Sequence, residues 1–394
     1  MPEPAQRRIA QRVEDDLEYL REKSQFRSLG IMGGINLCSN DYLGLATDPQ
    51  LKEALTAAVA RAGLVGSTGS RLLSGNAREW QDLESEFARF MGSEAALYFG
   101  SGYAANVGLL SCILRPGDFA FSDALNHASL IDGIRLSGAT KIIYPHRDLE
   151  FLERALREHQ DAPGAKVIVT ESVFSMEGDV APIGSMARLA QEYGAELLVD
   201  EAHAIGVCGP SGRGIVAEQG CEKDVLAIVC TCGKALASAG AFVCGGRTLI
   251  EYLVNHARTF VFSTAMPPYL AGQIRAAVDV ARKADGKRAH LQKIAAALRE
   301  ALTAAHVDFG SSTTHIVSVF LGSNEMALHV AAHLNSKGFA ARAIRPPTVP
   351  EGTARIRISL TSEISLEDVC QIASAIEAAR QSSPLTALTS IVHA

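Results

Sequence analysis

Residues 197–203 read LLVDEAH and residues 225–236 read VLAIVCTCGKAL, and these two segments decide the fold that we expect. Each begins as a short apolar run, rich in β-forming residues, which predicts a buried strand. A glycine-rich turn, residues 206–214, lies between them. Asp200 follows the first run and Lys234 follows the second. Because open α/β sheets bind ligands beyond the carboxyl ends of their strands, we expect both side chains to face a ligand.

Lys234 and Asp200 together favour pyridoxal phosphate (PLP) chemistry. Small residues surround Lys234 (GKALASAG, residues 233–240), which leaves room for a bulky ligand beside the amine. Desolvation lowers the pKa of a lysine and helps its amine form a Schiff base with an aldehyde. A carboxylate facing the pyridine nitrogen keeps the ring able to accept electrons. The alternative is a solvated surface lysine and an aspartate that caps a helix, since both residue types are mostly exposed.

The composition is that of an ordinary globular protein and argues against several functional classes. The 394 residues, 47% hydrophobic and 20% charged, suit two or three domains, or one large domain with a smaller one. A net charge of −6 without basic blocks argues against a nucleic-acid partner. No apolar stretch reaches the ~18 residues of a membrane span, and the N-terminus lacks the apolar core of a signal peptide. Eight scattered cysteines, without a CxxC pair or zinc-type histidine spacing, predict a cytoplasmic location and no metal site.

Strand and helix patterns alternate through most of the chain, which predicts a mostly parallel sheet with helices on both faces. Residues 5–29 have apolar side chains at helical spacing and are expected to form an amphipathic arm. After residue 306, short strands separated by helices predict a smaller α+β domain. We therefore expect an N-terminal arm over residues 1–45, a large ligand-binding domain over residues 46–283 and a small C-terminal domain over residues 284–394.

Several loops carry candidate ligand-binding groups. Residues 100–106 (GSGYAAN) lead into a helix N-terminus, whose free N–H groups and dipole suit a phosphate. His127 and Ser175 lie in polar loop clusters. Arg357 follows a proline-stiffened loop and is suited to clamp a carboxylate. Each has a structural alternative: a tight turn, a structural histidine, or a solvated arginine on an edge strand.

The chain resembles the α-oxoamine synthases, a family of fold-type I PLP enzymes. The resemblance covers residue 36 to about residue 376 and rests on these motifs: NLCSNDYLGL (36–45), GSRLLSGN (69–76), SGYAAN (101–106), DALNHASLIDG (123–133), DEAHAIGVCGPSGRG (200–214), TCGKA (231–235) and PPTVPEGTARIR (346–357). It implies a large domain with a mostly parallel central sheet, a smaller α+β C-terminal domain and an N-terminal helical arm. Within the family, FSTAMPP (262–268) and IRPPTVPEGTARIR (344–357) are most similar to the members that serve biotin biosynthesis. Those members condense L-alanine with pimeloyl-CoA, or with the pimeloyl thioester of a carrier protein, and lose CO2.

The resemblance also implies a role for each matching residue. Lys234 would hold PLP, Asp200 would pair with the pyridinium nitrogen, and His127 would stack on the ring and assist catalysis. The remaining implied cofactor contacts are Gly102, Tyr103, Ser175, His203, Thr231 and Thr264. Thr264 would reach the phosphate bound in the other subunit, which implies a homodimer with shared active sites. The implied substrate contacts are Arg27, Asn40, His127, Thr348 and Arg357, of which Arg357 would hold the amino-acid carboxylate.

The chain departs from the family pattern at four positions. Trp80 stands where a histidine is usual, and Cys232 replaces a commoner serine, phenylalanine or leucine. Ala237 and Ala241 stand where glycines are commoner. We expect Trp80 to pack rather than react. The two alanines leave the choice of substrate among the sister enzymes open.

Three alternative functions follow from these observations. A nicotinamide dehydrogenase needs a glycine fingerprint after its first strand with an acid about 20 residues further on, and the glycines here do not follow that layout. A non-catalytic partner subunit would be expected to lack the lysine, which is present. Sister enzymes that use glycine or serine, such as glycine C-acetyltransferase and serine palmitoyltransferase, remain the main alternatives.

Overall fold

The computed structural model describes residues 8–382, whose strands form one large sheet and two small ones. The strands, in chain order, are β1 (Ile35–Asn36), β2 (Ala95–Phe99), β3 (Phe119–Asp123), β4 (Thr140–Tyr144), β5 (Lys166–Glu171), β6 (Glu196–Asp200), β7 (Ala227–Thr231), β8 (Ala241–Gly245), β9 (Ile316–Gly322), β10 (Phe339–Ala340), β11 (Ala343–Ile344) and β12 (Ala354–Ser359).

The helices alternate with these strands through the first two thirds of the chain. In chain order they are α1 (Ile9–Glu22), α2 (Pro49–Arg61), α3 (Arg78–Met91), α4 (Gly102–Ile113), α5 (Ala128–Ser137), α6 (Leu149–Glu158), α7 (Ile183–Glu192), α8 (Ile215–Glu218), α9 (Arg247–His256), α10 (Arg258–Val261), α11 (Tyr269–Arg282), α12 (Asp285–Ala304), α13 (Asn324–Ser336) and α14 (Leu366–Gln381), with a short 3-10 turn at Pro210–Gly212. Among residues 8–382, no helix is both long enough and apolar enough to cross a membrane.

The large sheet has seven strands in the order β2-β8-β7-β6-β5-β3-β4. Every neighbouring pair is parallel except those of β8, which runs antiparallel to both β2 and β7. The carboxyl ends of β5, β6 and β7 lie side by side, because Glu171 is paired with Asp200 and Asp200 with Val229. The end of the sheet at which ligands are expected therefore carries the polar residues that follow these three strands.

The apolar runs of the sequence become strands that are covered on both faces. In β6, Leu197 and Val199 point into one core cluster and Leu198 points into the other. Helices α3, α6 and α7 contribute to the first cluster, and α4, α5 and α9 to the second. A parallel strand buried on both sides needs apolar residues at consecutive positions, which is why these runs do not alternate.

The C-terminal part forms an antiparallel three-stranded sheet in the order β11-β12-β9. The strand β1 pairs in parallel with β10, so the segment after α1 joins this part of the molecule. Lys287 of α12 donates to the carbonyl of Leu43 at 2.8 Å and ties the same segment to the helices. Arg357 lies on the central strand β12 and is thereby held on a well-supported element.

The predicted fold class is confirmed: a mostly parallel sheet flanked by helices, a smaller α+β part and an N-terminal helix. The strand expected from Val225 begins at Ala227. The domain limits at residues 45/46 and 283/284 stay predictions. The outermost residues of the two terminal segments, 1–7 and 383–394, lie outside the described residues.

Candidate active site

The amine of Lys234 lies in the loop that joins β7 to β8. That loop is closed by backbone bonds from Cys232 N to the carbonyl of Gly240 (2.9 Å) and from Ser238 N to the carbonyl of Cys232 (2.8 Å). The Nζ atom is 2.9 Å from Nε2 of His203. Burial lowers the pKa of Lys234, and the positive charge of Arg357 lowers it further, against the opposing effect of nearby carboxylates. The site thus favours the neutral, nucleophilic form of the amine.

Asp200 ends β6 and is 4% exposed. Its Oδ2 accepts a hydrogen bond from the amide of Asn106 at 2.7 Å, and its Oδ1 accepts one from the backbone N–H of Ala202 at 2.9 Å. The same amide group donates to Ser129 at 2.9 Å, and Ser129 lies 2.7 Å from Nδ1 of His127. One chain of hydrogen bonds therefore joins Asp200 to His127 and fixes both side chains.

His127 caps the N-terminus of α5, where its Nδ1 accepts from the N–H of Ser129. Burial lowers the pKa of His127 below its ordinary value, so the ring is neutral at physiological pH. The ring of Tyr103 meets it edge-on, with the centroids 6.4 Å apart, and the Tyr103 hydroxyl donates to Asp132. Tyr103 and His127, both predicted cofactor contacts, are thus neighbours at the starts of α4 and α5.

Gly102 and Thr231 lie in contact at the start of α4. A Cβ on Gly102 would come within 2.6 Å of Cγ2 of Thr231, so this position has room only for glycine. Ser101 caps the helix by accepting from the N–H of Ala104 at 3.1 Å. The first N–H groups of a helix have no partner within it and suit a phosphate, and phosphate binding at the start of α4 stays a prediction. The hydroxyl of Thr231 donates to the carbonyl of Ala202 at 3.2 Å and can still accept from a ligand.

Arg357 reaches the opposite side of the same site from β12. It donates to the carbonyl of Ser175, to the hydroxyl of Ser359 and to Oδ1 of Asn40, the last at 3.1 Å. A guanidinium that meets neutral acceptors keeps its full positive charge for a ligand carboxylate. The predicted residues Asn40, Ser175 and Arg357 are thus brought together although they are far apart in sequence.

Arg27 and Thr348 form a separate pair at the N-terminal side of the small sheet. Arg27 Nη2 donates to the Thr348 hydroxyl at 3.0 Å and to the carbonyls of Arg345 and Pro346 at 3.4 Å. Thr348 lies on the loop that connects β11 to β12, the strand of Arg357, and Arg27 lies in the segment between α1 and β1. Contact of the pair with a substrate stays a prediction.

Thr264 lines a cavity of about 240 Å³ together with Ser101, Arg71 and Trp80. It also forms an isolated β-bridge with Ser70. Trp80 is fully buried, stacks on Tyr98 with the ring centroids 4.2 Å apart, and donates to the carbonyl of Met266, so it packs as expected. The role of Thr264 across a subunit interface stays a prediction.

The structure adds site residues that the sequence analysis did not select. They are Tyr42, Asn106, Ser129, Glu171 and His315. Glu171 is 2% exposed, and burial together with the charge of Asp200 raises its pKa to about 8. Its Oε2 accepts from the N–H of Ser175 at 3.2 Å. The signal for most of them was available, because they lie inside the quoted motifs or directly before the loop of Ser175.

The residues present fit PLP. A half-buried amine and a buried carboxylate follow neighbouring strands, and a glycine-started helix can hold a phosphate. Lys234 would hold the aldehyde carbon, Asp200 the ring nitrogen, and α4 with Thr231 the phosphate. The neutral rings of His127 and His203 would lie beside the cofactor.

Comparison with known proteins supports this interpretation. The family model for aminotransferase class I and II matches residues 33–376. An 8-amino-7-oxononanoate synthase of Geobacter sulfurreducens is 44% identical over 363 residues, which covers 88% of this chain and 92% of the relative. Among solved structures, serine palmitoyltransferase from S. paucimobilis with bound PLP and myriocin has a TM-score of 0.88 at 28% identity, covering 95% of this chain and 99% of that one. The 8-amino-7-oxononanoate synthase of Francisella tularensis has a TM-score of 0.77 at 29% identity, covering 88% and 98%.

These matches extend over nearly the whole sheet and the C-terminal part, and one of the matched structures carries the cofactor that the site fits. The resemblance found in the sequence motifs is therefore confirmed. The chain belongs to the aminotransferase class I and II family and, within it, to the PLP-dependent α-oxoamine synthases.

Proposed function

We propose that this PLP-dependent acyltransferase condenses L-alanine with a pimeloyl thioester. The products are 8-amino-7-oxononanoate, CO2 and the free thiol, in the synthesis of biotin. The observation that carries the proposal is the convergence of Lys234, Asp200 and Arg357 on one site, in a chain 44% identical to a synthase of that name. The thiol carrier is coenzyme A or an acyl carrier protein.

Each residue of the site has a task in this reaction. Arg357 binds and orients the alanine carboxylate by a charge-assisted hydrogen bond. Lys234 Nζ would take the Cα proton, because burial lowers its pKa and favours the neutral amine. Bound PLP supplies the electron-accepting ring for that step. Asp200 would hold the proton of the ring nitrogen, and His127 would donate to the developing carbonyl oxygen.

A homodimer with shared active sites is part of the proposal. The β-bridge between Ser70 and Thr264 brings two segments together, and both expose apolar side chains. These are Leu64, Val65, Leu72, Leu73 and Phe262. Contiguous exposed apolar side chains of this kind mark protein interfaces. A second copy placed here would cover them and bring its own Thr264 near the first copy's α4.

We also infer a cytoplasmic location. Eight cysteines are free thiols, and Cys221, Cys230, Cys232 and Cys244 are buried in the core. Such unpaired thiols are typical of a reducing compartment. Cell fractionation with a marker enzyme would locate the protein, and recovery with the periplasmic or secreted fraction would contradict the inference.

The function is tested by thiol release from the PLP-loaded protein in a crossed panel. L-Alanine, glycine and L-serine are each paired with pimeloyl-, acetyl-, succinyl- and palmitoyl-CoA. We expect release mainly with L-alanine and pimeloyl-CoA. Lys234→Ala is the matched control and should lower the rate by about three orders of magnitude or more and abolish the absorbance of lysine-bound PLP. Release mainly with glycine and acetyl-CoA, or with L-serine and palmitoyl-CoA, would assign the chain to a sister activity.

A further inference from the structure

Two buried side chains connect the carboxylate of Asp200 to the ring of His127. Asn106 of α4 is 1% exposed and Ser129 of α5 is fully buried, so neither side chain is available to a ligand. The amide nitrogen of Asn106 lies 2.7 Å from Oδ2 of Asp200 and 2.9 Å from the hydroxyl oxygen of Ser129. That oxygen lies 2.7 Å from Nδ1 of His127. These contacts form one hydrogen-bond chain that joins β6, α4 and α5.

The direction of each bond at Asn106 follows from the groups that take part. A carboxylate only accepts hydrogen bonds, so the end of the Asn106 amide that faces Asp200 is its NH2 group. The second hydrogen of the same NH2 group goes to the hydroxyl oxygen of Ser129. Both amide hydrogens are thus in use, and the Ser129 hydroxyl keeps its own hydrogen for another acceptor.

At the other end of the chain, Nδ1 of His127 is that acceptor. The backbone N–H of Ser129 also points at Nδ1, at 3.3 Å, and a backbone N–H can only donate. A proton on Nδ1 would face this N–H group. The single proton of the neutral ring therefore lies on Nε2, whether Lys234 is charged or neutral.

The Nε2 edge of His127 is left for a ligand. No hydrogen bond within residues 8–382 uses this nitrogen, and the residue remains exposed although its Nδ1 edge is bonded. A ring that is held at Nδ1 presents an N–H donor on its opposite edge before a substrate arrives. Donors that are placed in advance stabilise the charge that develops during a reaction.

We propose that Asn106 and Ser129 are positioning residues, which act through His127 by holding its Nδ1 edge so that Nε2–H faces the ligand. Asp200 anchors the chain, because its charge strengthens the hydrogen bond from Asn106. The use of Nε2–H rests on the proposed function, in which His127 donates to the developing carbonyl oxygen. The two buried residues thus set the distance between the carboxylate and the donor.

Several charged and titratable groups surround the His127 ring. Burial and the charge of Lys234 lower the pKa of His127, whereas the charge of Asp200 raises it. The ring of His203 is neutral, because burial lowers its pKa well below the ordinary value. The carboxyl of Glu171 accepts from the backbone N–H of His127. The variants below leave all of these groups in place and are compared at one pH.

The first test is Ser129→Ala, which removes the hydroxyl and keeps the backbone N–H. In the PLP-loaded enzyme, kcat for thiol release with the fastest substrate pair of the panel should fall roughly tenfold, the effect of one hydrogen bond. The KM for the amino acid should change by less than about twofold, because Arg357 is untouched. In a His127→Gln background, Ser129→Ala should lower kcat no further, since both changes act through one group.

The second test observes the histidine in the apoprotein through its ring 15N shifts, and His127→Gln identifies the signals. In the wild type we expect the proton on Nε2 and the shift of an acceptor at Nδ1. In Asn106→Ala and in Ser129→Ala the two nitrogen shifts should approach each other, because the ring loses its fixed orientation. A wild-type proton on Nδ1 at neutral pH would overturn the proposal without any folding of a buried-site variant being needed.

Ser137→Ala is the matched control, since it removes a buried hydroxyl of the same helix that donates to the carbonyl of Ile134. It should leave kcat and the ring shifts unchanged. A further loss of kcat in the His127→Gln background, or unchanged ring shifts in folded Ser129→Ala, would also overturn the proposal. The ring shifts are measured without substrate. A wild type that shows the expected shifts but releases no thiol from pimeloyl-CoA with L-alanine would therefore count only against the proposed function.

Discussion

At the scale of single residues, burial decides which groups in the site carry charge. Glu171 and Asp200 end neighbouring strands and face the same pocket. Asp200 has two N–H donors on its carboxylate, whereas the pKa of Glu171 rises to about 8. At neutral pH Glu171 therefore holds its proton, and Asp200 supplies the negative charge for a pyridinium nitrogen. Two adjacent carboxyls thus serve different purposes, because burial and the neighbouring charge of Asp200 disfavour the ionised form of Glu171.

The backbone of Ala237 is strained, and this gives a prediction at the same scale. Its φ of 42° lies in the left-handed region, which costs a non-glycine residue about 1 kcal/mol. Ala237→Gly should stabilise the protein by up to about 1 kcal/mol, reduced by the greater freedom of glycine in the unfolded chain. Urea denaturation measures the free energy of unfolding.

Ala241→Gly provides the contrast for that measurement. Ala241 is fully buried in β8 and is not among the residues with positive φ. Glycine there should destabilise the protein by about 1 kcal/mol, because it removes a packed methyl group and adds freedom to the unfolded chain. Equal effects at the two positions would argue against backbone strain at Ala237.

At the scale of elements, the sequence predicted the strands that are buried on both faces and missed the one that breaks the pattern. The sheet was predicted from the consecutive apolar residues of β6 and β7. Asp200 and Lys234 were predicted as site residues because they follow these strands. The antiparallel β8 was not selected, because its run AFVCG is short and follows the small residues around the lysine. The contact between Asn40 and Arg357 could not be predicted in this way. The two residues are 317 positions apart in the sequence, and the spacing of apolar residues reveals only local structure.

A cluster around His146 joins three segments of the fold. Its Nδ1 and Nε2 lie 3.0 Å from Asp123 at the end of β3 and 3.0 Å from Asp179 after β5. Asp179 also binds Arg147 at 2.8 Å and Ser311 at 2.8 Å, the latter in the segment before β9. The hydrogen bonds and charges of the two carboxylates raise the pKa of His146 to about 9 despite its burial. Through Asp179, the protonated histidine is therefore connected to the segment before β9 in the C-terminal part.

This cluster predicts how stability depends on pH. The folded pKa of His146 is about 9 and the unfolded value about 6.5, so its contribution is complete below pH 6.5 and is lost as the pH rises toward 9. We expect the free energy of unfolding to fall by about 2 kcal/mol more in the wild type than in His146→Gln over this range. Urea denaturation at several pH values measures the difference.

His256→Gln is the control for the same series, since His256 is exposed and bonds to the carbonyl of Tyr252. In this variant the free energy of unfolding should fall with rising pH as much as it does in the wild type. A wild-type slope in His146→Gln would mean that the histidine is not protonated in the folded protein at neutral pH.

At the scale of the whole molecule, the exposed apolar side chains near Thr264 predict the assembly. Light scattering after size-exclusion chromatography should give about twice the chain mass of 41.8 kDa. Leu73→Lys places a charge in the predicted interface, where Leu73 is 84% exposed in the single chain. It should shift the mass toward one chain, and Leu136→Lys, at a site on α5 that is 63% exposed, should not. A monomeric wild type would contradict shared active sites.

The antiparallel strand β8 has a consequence for the order in which the site is assembled. Thr231 and Ala241 pair across ten residues, so closing the loop that carries Lys234 costs little chain entropy. The contact between Arg357 and Asn40 closes a loop of 317 residues. On a ribosome, the lysine hairpin and the sheet edge that faces it are complete in the chain before the strand of Arg357 has been synthesised. The growing polypeptide therefore acquires the group that captures an aldehyde before it acquires the group that selects an amino acid.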